Sequence, residues 1–166
     1  MPNKLTLEQR REAFAESQKW SSMRIIICAG TGCIAGGSMK IYDRFREELT
    51  KRGLKIAVSL EAEGDHNHGE CGGACHAEHS KGEHALVESG CQGFCQMGPL
   101  VTLQPQGIMY VKVSVGDVEE IVEKTVIAGE YVDRLLYTRP DSGEPVKKVD
   151  NIPFYALQSR LMLGLC

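Results

Sequence analysis

The sequence predicts a single α/β domain, a four-stranded mixed sheet flanked by helices, and three observations predict it. An isoleucine-rich run, Met23–Cys28, is followed by an amphipathic segment, 38–52, and then by an alternating segment, 54–60. Two further extended segments, 100–103 and 108–113, flank Gln104-Pro105-Gln106-Gly107, whose Pro and Gly mark a turn. A last amphipathic stretch runs from Asp117 to Gly129. Strand, helix, strand implies a right-handed parallel crossover, and the second half adds an antiparallel hairpin and a helix.

Each element has its own justification. Thr6, with Gln9 three residues on, forms a capping-box pattern that predicts an accessory helix within residues 1–22. Its apolar stripe, Leu7, Ala13, Phe14 and Trp20, is thin, which suits a helix lying on the domain or on a partner. Met23–Cys28 is apolar over a length typical of a buried strand. Ile41, Tyr42, Phe45 and Leu49 recur at helical spacing, with Asp43, Arg44, Arg46, Glu47 and Lys51 on the other face and Gly53 as the stop. Ile56, Val58 and Leu60 alternate as a strand does.

Composition then changes abruptly. Residues 61–83 hold almost no large apolar residue and concentrate Gly, His and Glu, so this stretch is an insertion rather than core. Ala85–Glu88 resumes an extended pattern. Asp117 with Glu120 three residues on predicts the start of the final helix, whose apolar face is Val118, Ile121, Val122 and Val126. Residues 138–151 turn polar, with Pro140, Gly143 and Pro145, which predicts an exposed linker, and the tail Ile152–Cys166 is apolar again. The organisation expected is therefore an accessory helix at 1–22, a domain at 23–137 with an insertion at 61–84, and a linker with the start of another unit at 138–166. A βαβ half joined to a ββα half is the thioredoxin-like arrangement.

Composition narrows function mainly by exclusion. The 166 residues are 25% charged and 42% hydrophobic, ordinary for a globular chain. A net charge of -3 supplies no basic field, and no basic and aromatic ribbon occurs, so nucleic acid is not an expected partner. No apolar run is long enough for a membrane span, and the first residues lack a signal-peptide core, so a cytoplasmic location is expected. In that compartment seven cysteines point to metal or redox chemistry rather than disulfides.

Four of those cysteines sit among glycines in two loops, Cys28 and Cys33 in the first, Cys91 and Cys95 in the second. Gly30-Thr31-Gly32-Cys33-Ile34-Ala35 stands where a dinucleotide-binding turn would, but the acidic residue that should end the following strand is matched only by Glu61, which lies too far on. Structural zinc is a second reading, although neither pair has the tight two-residue spacing of zinc ribbons. Thiol exchange requires a Cys-x-x-Cys motif, which these loops lack. A 2Fe-2S cluster takes two thiolates per iron, and each close pair can serve one iron. Backbone N–H groups of Gly30–Gly36 and Gly90–Gly98 would then tune the cluster by bonding to sulfur. Phe94 and Met97 either shield it, form a docking surface or simply pack the loop.

These spacings, within Gly90-Cys91-Gln92-Gly93-Phe94-Cys95-Gln96-Met97-Gly98-Pro99, resemble the thioredoxin-like 2Fe-2S ferredoxin family. The resemblance runs from about Arg24 to Tyr137, including Asp133–Tyr137. It is strongest to the ferredoxin domain that begins the NADH-binding flavoprotein subunit of complex I-like enzymes and the beta subunit of NAD(P)-linked, sometimes bifurcating, iron hydrogenases. It implies one-electron transfer through a 2Fe-2S cluster on Cys28, Cys33, Cys91 and Cys95. Ile152–Cys166 is similar to the first residues of the flavin domain that follows in that family. The resemblance therefore places FMN and NAD on a missing or partner domain, and it implies flavoprotein and other iron-sulfur subunits as partners. A homodimer is the other assembly expected. The competing expectation is a structural zinc-binding interaction module without redox role.

The insertion departs from that family. His66, His68, Cys71, Cys75, His76 and His79, with His84 shortly after, are thiolate and imidazole donors that suit zinc, provided the loop brings them together.

Overall fold

A computed structural model describes residues 6–8, 11, 23–58 and 84–158. The sheet contains β1 (Met23–Cys28), β2 (Ile56–Val58), β3 (His84–Ser89), β4 (Val101–Gln104) and β5 (Ile108–Tyr110), in the order β2-β3-β1-β4-β5. The pairs β2–β3 and β3–β1 are parallel, whereas β1–β4 and β4–β5 are antiparallel. The mixed four-stranded core expected is present as β3-β1-β4-β5. Its membership differs in one strand: the extended segment Ala85–Glu88 lies within β3, six residues long, which pairs with the whole of β1, and the strand expected within 54–60 is the short edge strand β2. Residues 59–83 span the connection between β2 and β3, and that insertion lies outside the described residues.

One face of the sheet is closed by α2 (Ser38–Lys51), which follows a single short turn of helix, α1 (Thr31–Ala35). Ile25 and Ile27 of β1, Leu86 of β3 and Leu103 of β4 join Ile41, Phe45 and Leu49 of α2 in a continuous core. Gly53 follows α2 at φ +69°, the left-handed conformation expected of a helix stop. Glu48 falls on the apolar stripe of α2 and is fully buried. Arg44 lies 2.7 Å from its carboxylate, and Arg52 lies 3.5 Å away. Arg52 also donates to Glu123 at 2.9 Å, which ties α2 to the last helix of the domain.

That helix starts earlier than Asp117. Ser114 caps it, with the Asp117 carboxylate accepting from the Ser114 N–H at 2.7 Å, so the capping box is Ser114 with Asp117 rather than Asp117 with Glu120. Glu120 is engaged instead with Lys124 and Arg134. The helix runs through α3 (Val118–Ile121) and widens over Val122–Ile127, where Ala128 donates to Glu123 five residues back. Val118, Ile121 and Val122 are buried as their spacing predicts, and Val126 packs partly against the same core.

The polar stretch after Tyr137 forms a small hairpin, β6 (Tyr137–Thr138) with β7 (Pro145–Val146), and then a short helix, α4 (Pro153–Ala156). Most of this stretch is exposed, as expected of a linker, but Val146 and Ile152 are buried in a second apolar cluster with Leu100, Met109 and Val111. Periodicity could not show this, because Val146 is a single apolar residue in a polar stretch and Ile152 begins an apolar tail with no evident neighbour. Of the expected N-terminal helix, only Leu7, Glu8 and Arg11 are described in helical conformation, and the remainder lies outside the described residues. Among the described residues no helix is long and apolar enough to cross a membrane.

Tyr110 joins the hairpin to the last helix. Its buried hydroxyl bonds Thr125 at 2.6 Å and accepts from the Val132 N–H at 3.0 Å. Tyr110→Phe keeps the ring but strands both partners, so denaturant unfolding should lose about 1–3 kcal/mol of stability. A loss below about 0.5 kcal/mol, typical of surface substitutions, would show that neither partner depends on this hydroxyl.

Candidate metal centre

Parallel pairing of β1 with β3 places Cys28 opposite Ser89, so the loops that follow these strands leave the sheet side by side. The junction is held by backbone bonds from Ala29 N–H to the Ser89 carbonyl at 2.9 Å and from Cys28 N–H to the Leu100 carbonyl at 3.1 Å. Cys28 ends β1, and Cys33 is carried back toward it by α1. Cys91 and Cys95 lie on the second loop, where a short 3-10 turn, Cys95–Met97, follows Phe94. The structure thus brings all four loop cysteines to one end of the sheet, Cys28 and Cys33 buried, Cys91 and Cys95 exposed, and none in a disulfide.

Their geometry is that of two pairs. The Cys91 and Cys95 sulfurs are 3.3 Å apart, and the Cys33 thiol hydrogen-bonds with Cys28. Cys28 Sγ also lies 3.7 Å from the Gly90 carbonyl, bridging the loops. Two glycines allow the approach. A Cβ on Gly30 would stand 2.8 Å from Cys91 Cβ, and a Cβ on Gly98 would stand 2.7 Å from Cys33 Sγ. Neither glycine has an unusual backbone: Gly30 sits at φ -66°, ψ 150° and Gly98 at φ -69°, ψ 163°, conformations open to any residue. Space, not dihedral freedom, is the reason for glycine here. The gap beside Gly30 is filled by Cys91, so this loop is packed against thiols rather than open toward a pyrophosphate.

Electrostatics distinguishes the cysteines. Burial pushes the Cys33 thiol up to about 11, reinforced by the hydrogen bond and charge of Cys28. Cys91 moves the other way, because the Gly93 N–H donates to its sulfur at 3.4 Å and Cys95 donates as well. Cys95 is raised in turn by its bond to Cys91 and by the Cys91 charge. Gly93 is thus one N–H donor of the kind expected from the glycine-rich loops.

The second loop is held by residues that sequence reasoning did not single out. The Gln92 side chain donates to Ser89 Oγ at 3.1 Å and accepts from Thr102 Oγ1 at 3.1 Å, pinning the loop to β3 and β4. Tyr155 Oη donates to the Gln92 carbonyl at 3.1 Å. Phe94 stacks on Phe154, with centroids 4.8 Å apart and planes 8° apart, and meets Tyr155 edge-on at 5.8 Å. Phe94 and Met97 both pack against the second apolar cluster. The one sequence signal was Phe94 itself, an aromatic residue between two thiols, whose partner could not be named.

The second candidate set is not brought together by anything described. His66, His68, Cys71, Cys75, His76 and His79 lie outside the described residues; His84 begins β3, where its N–H donates to the Lys55 carbonyl at 3.2 Å. Among the described residues no three His, Cys, Asp or Glu side chains converge as donors to a single metal ion.

If close approach is what requires glycine, Gly30→Ala and Gly98→Ala should each strongly reduce the metal retained by the purified chain, because the methyl falls within 3.0 Å of Cys91 or Cys33. Gly90→Ala, with nothing within 4 Å, should retain the wild-type amount. Metal analysis of the three variants decides it; equal retention in all three would show that the loops adapt to a Cβ.

No protein-family model matches the chain. A 2Fe-2S ferredoxin of Clostridium pasteurianum is 32% identical over 103 residues, covering 62% of this chain and 76% of that protein. A 2Fe-2S ferredoxin of Aquifex aeolicus (strain VF5) is 43% identical over 60 residues, 36% of this chain and 51% of the relative. Among solved structures, the wild-type thioredoxin-like [2Fe-2S] ferredoxin from Aquifex aeolicus aligns with a TM-score of 0.51 at 23% identity, over 72% of this chain and 99% of the other. A second structure of a thioredoxin-like [2Fe-2S] ferredoxin from that organism gives 0.50 at 22% identity, over 76% and 99%. The structural likeness supports the fold and the sequence likeness the kinship: the chain belongs to the thioredoxin-like 2Fe-2S ferredoxin family.

Proposed function

We propose that this chain transfers single electrons through one 2Fe-2S cluster held by the thiolates of Cys28, Cys33, Cys91 and Cys95. The observation that carries the reading is the meeting of two cysteine pairs across Gly30 and Gly98, where any larger residue would fill the space between the loops. A tetrahedral zinc ion needs four donors aimed at one point. Paired thiols suit a binuclear group, with two ligands to each metal. A bound 2Fe-2S cluster supplies a one-electron couple.

The protein's own contribution is to hold, shield and expose. Cys28 and Cys33 anchor one side within the second apolar cluster, and Leu100, Met109 and Ile152 keep water from that side. Gly93 N–H, directed at Cys91 Sγ, favours negative charge on sulfur. Cys91 and Cys95 stand at the surface, where an electron partner can approach. No general acid, base or nucleophile is needed.

We further propose that the partner is a flavoprotein or another iron-sulfur subunit of an NAD(P)-linked hydrogenase or NADH dehydrogenase-type complex, with FMN and NAD bound there. The support is the likeness of Ile152–Cys166 to the start of such a flavin domain, together with the character of the exposed rim. Residues 25–39 and 89–111, which contain both cysteine loops, have no charged side chain. Thr31, Gly32, Ala35, Gly36 and Gln96 are exposed there, and Ile34 is 47% exposed. Charged residues border the second loop at Glu88, which precedes it in the chain, at Lys112, whose N–H bonds the Met97 carbonyl, and at Asp150 in the groove beside Cys91. Such a rim favours a standing, uncharged contact over transient charge-steered encounter. A cytoplasmic setting accompanies this reading, since the thiols must stay reduced until loaded.

Anaerobically purified protein should contain about two irons and two acid-labile sulfides per chain and show visible absorption that bleaches on reduction. Cys91→Ser or Cys95→Ser should abolish or strongly alter the paramagnetic resonance signal of the reduced protein, and the double variant Cys71→Ser, Cys75→Ser should leave it intact. A colourless protein holding only zinc would instead establish the structural module, and loss of signal in the double variant would move the ligands into the insertion. For the rim, oxidation of the reduced protein by a cationic and by an anionic metal complex should change less than about twofold between low and physiological ionic strength. Steep, opposite salt dependences for the two oxidants would rule out an uncharged docking face.

A further inference from the structure

The segment after β6 does more than leave the domain. Val146 and Ile152 are buried in the same apolar cluster as Cys28 and Cys33, and Val149 N–H donates to the Gly107 carbonyl at 2.8 Å. Those anchors bring Phe154 and Tyr155 onto the Cys91–Cys95 loop, beside Tyr137, whose ring lies 5.5 Å from Phe94. Phe154 covers Phe94 face to face and lies 3.6 Å from where a Cβ of Gly93 would stand, at a residue whose φ is +83°. Tyr155 donates to the Gln92 carbonyl at 3.1 Å, between two of the four cysteines in sequence. The inner side of the same loop is fixed to the sheet through Gln92, Ser89 and Thr102. The loop is therefore gripped from both sides, the outer grip coming from Phe154 and Tyr155 just past the polar linker, with Tyr137 also against Phe94 at 5.5 Å.

We propose that residues 145–158 act as a clasp on the Cys91–Cys95 loop, with Tyr155 and Phe154 as positioning residues for the cluster site, Tyr155 fixing the backbone between the thiols and Phe154 excluding water from Phe94 and Gly93. The proposal rests on the cluster reading above for its consequence, but its mechanical part stands on the loop alone. When the clasp opens, the loop gains conformations that do not present Cys91 and Cys95 together, and the outer sulfurs, already exposed, gain further water. More water favours the more highly charged reduced state, so opening raises the reduction potential.

The test uses the full chain as purified and three variants. Tyr155→Phe removes the hydroxyl that donates to the Gln92 carbonyl, Phe154→Ala removes the stacked ring, and Leu157→Ala, at a position 88% exposed, is the control. Amide hydrogen exchange across residues 90–98 should quicken about fivefold in Tyr155→Phe, the equivalent of one hydrogen bond. It should quicken about tenfold in Phe154→Ala, with exchange in β1 and β3 and the unfolding midpoint unchanged. In the iron-loaded protein the same two variants should lose their visible absorption to a chelator faster by similar factors and show a higher midpoint potential, and Leu157→Ala should match wild type. Loop exchange equal to wild type in both variants overturns the clasp, as does a uniform rise across the sheet, which would make the segment merely stabilising. If the chain purifies without iron, the cluster reading fails while loop exchange still decides the clasp.

Discussion

Everything at the functional end of this molecule depends on how closely two loops can approach. Gly30 against Cys91 and Gly98 against Cys33 leave no room for a Cβ, and this contact sets the separation of the two thiol pairs. The constraint is steric rather than conformational, since both glycines occupy backbone regions that any residue can adopt. A donor set built this way is preorganised by packing, and the packing reaches back into the sheet through Leu100, whose carbonyl accepts from Cys28 N–H. Ligand geometry and core packing are here one arrangement.

The topology explains why those loops meet at all. Two parallel strands in direct contact present their C-terminal ends at the same edge, and β1 and β3 do so with Cys28 opposite Ser89. The antiparallel β4 then runs back beside β1, so the chain passes from the second cysteine loop straight into the core. On one face, α2 and the last helix are tied together by the buried Glu48, with Arg44 and Arg52 around it and Glu123 beyond. A carboxylate at 0% exposure is tolerated because cations from its own helix surround it. The other face is closed near the cysteines by single apolar anchors from the C-terminal stretch.

Division of labour follows from this layout. The inner pair of thiols is embedded in an apolar cluster, where burial holds Cys33 in its neutral form, at about 11, when no metal is bound. The outer pair is exposed and receives backbone donation at Cys91. One side of the site thus supplies rigidity and dryness, the other access. Because the rim loops contain no charged residue, the partner contact proposed above would draw on shape and apolar surface rather than on attraction at a distance.

Chemistry and local structure were readable from the amino-acid order because both are local. Cys28, Cys33, Cys91 and Cys95 announced themselves by spacing among glycines, the α2 stripe by its 3.6-residue period, and the hairpin by Pro105 and Gly107, since each signal lies within a few residues of chain. What required the three-dimensional arrangement was every relation between distant segments. That β3 lies between β2 and β1, that Ser114 and not Asp117 caps the last helix, that Gly30 and Gly98 face cysteine side chains, and that Phe154 and Tyr155 grip the second loop are outcomes of competition for neighbours. Periodicity specifies which face of an element is apolar but not which element covers it, and a single Val146 in a polar stretch has no period at all. The cysteines were therefore evident from the chain, while the way they are held together emerged only from its packing.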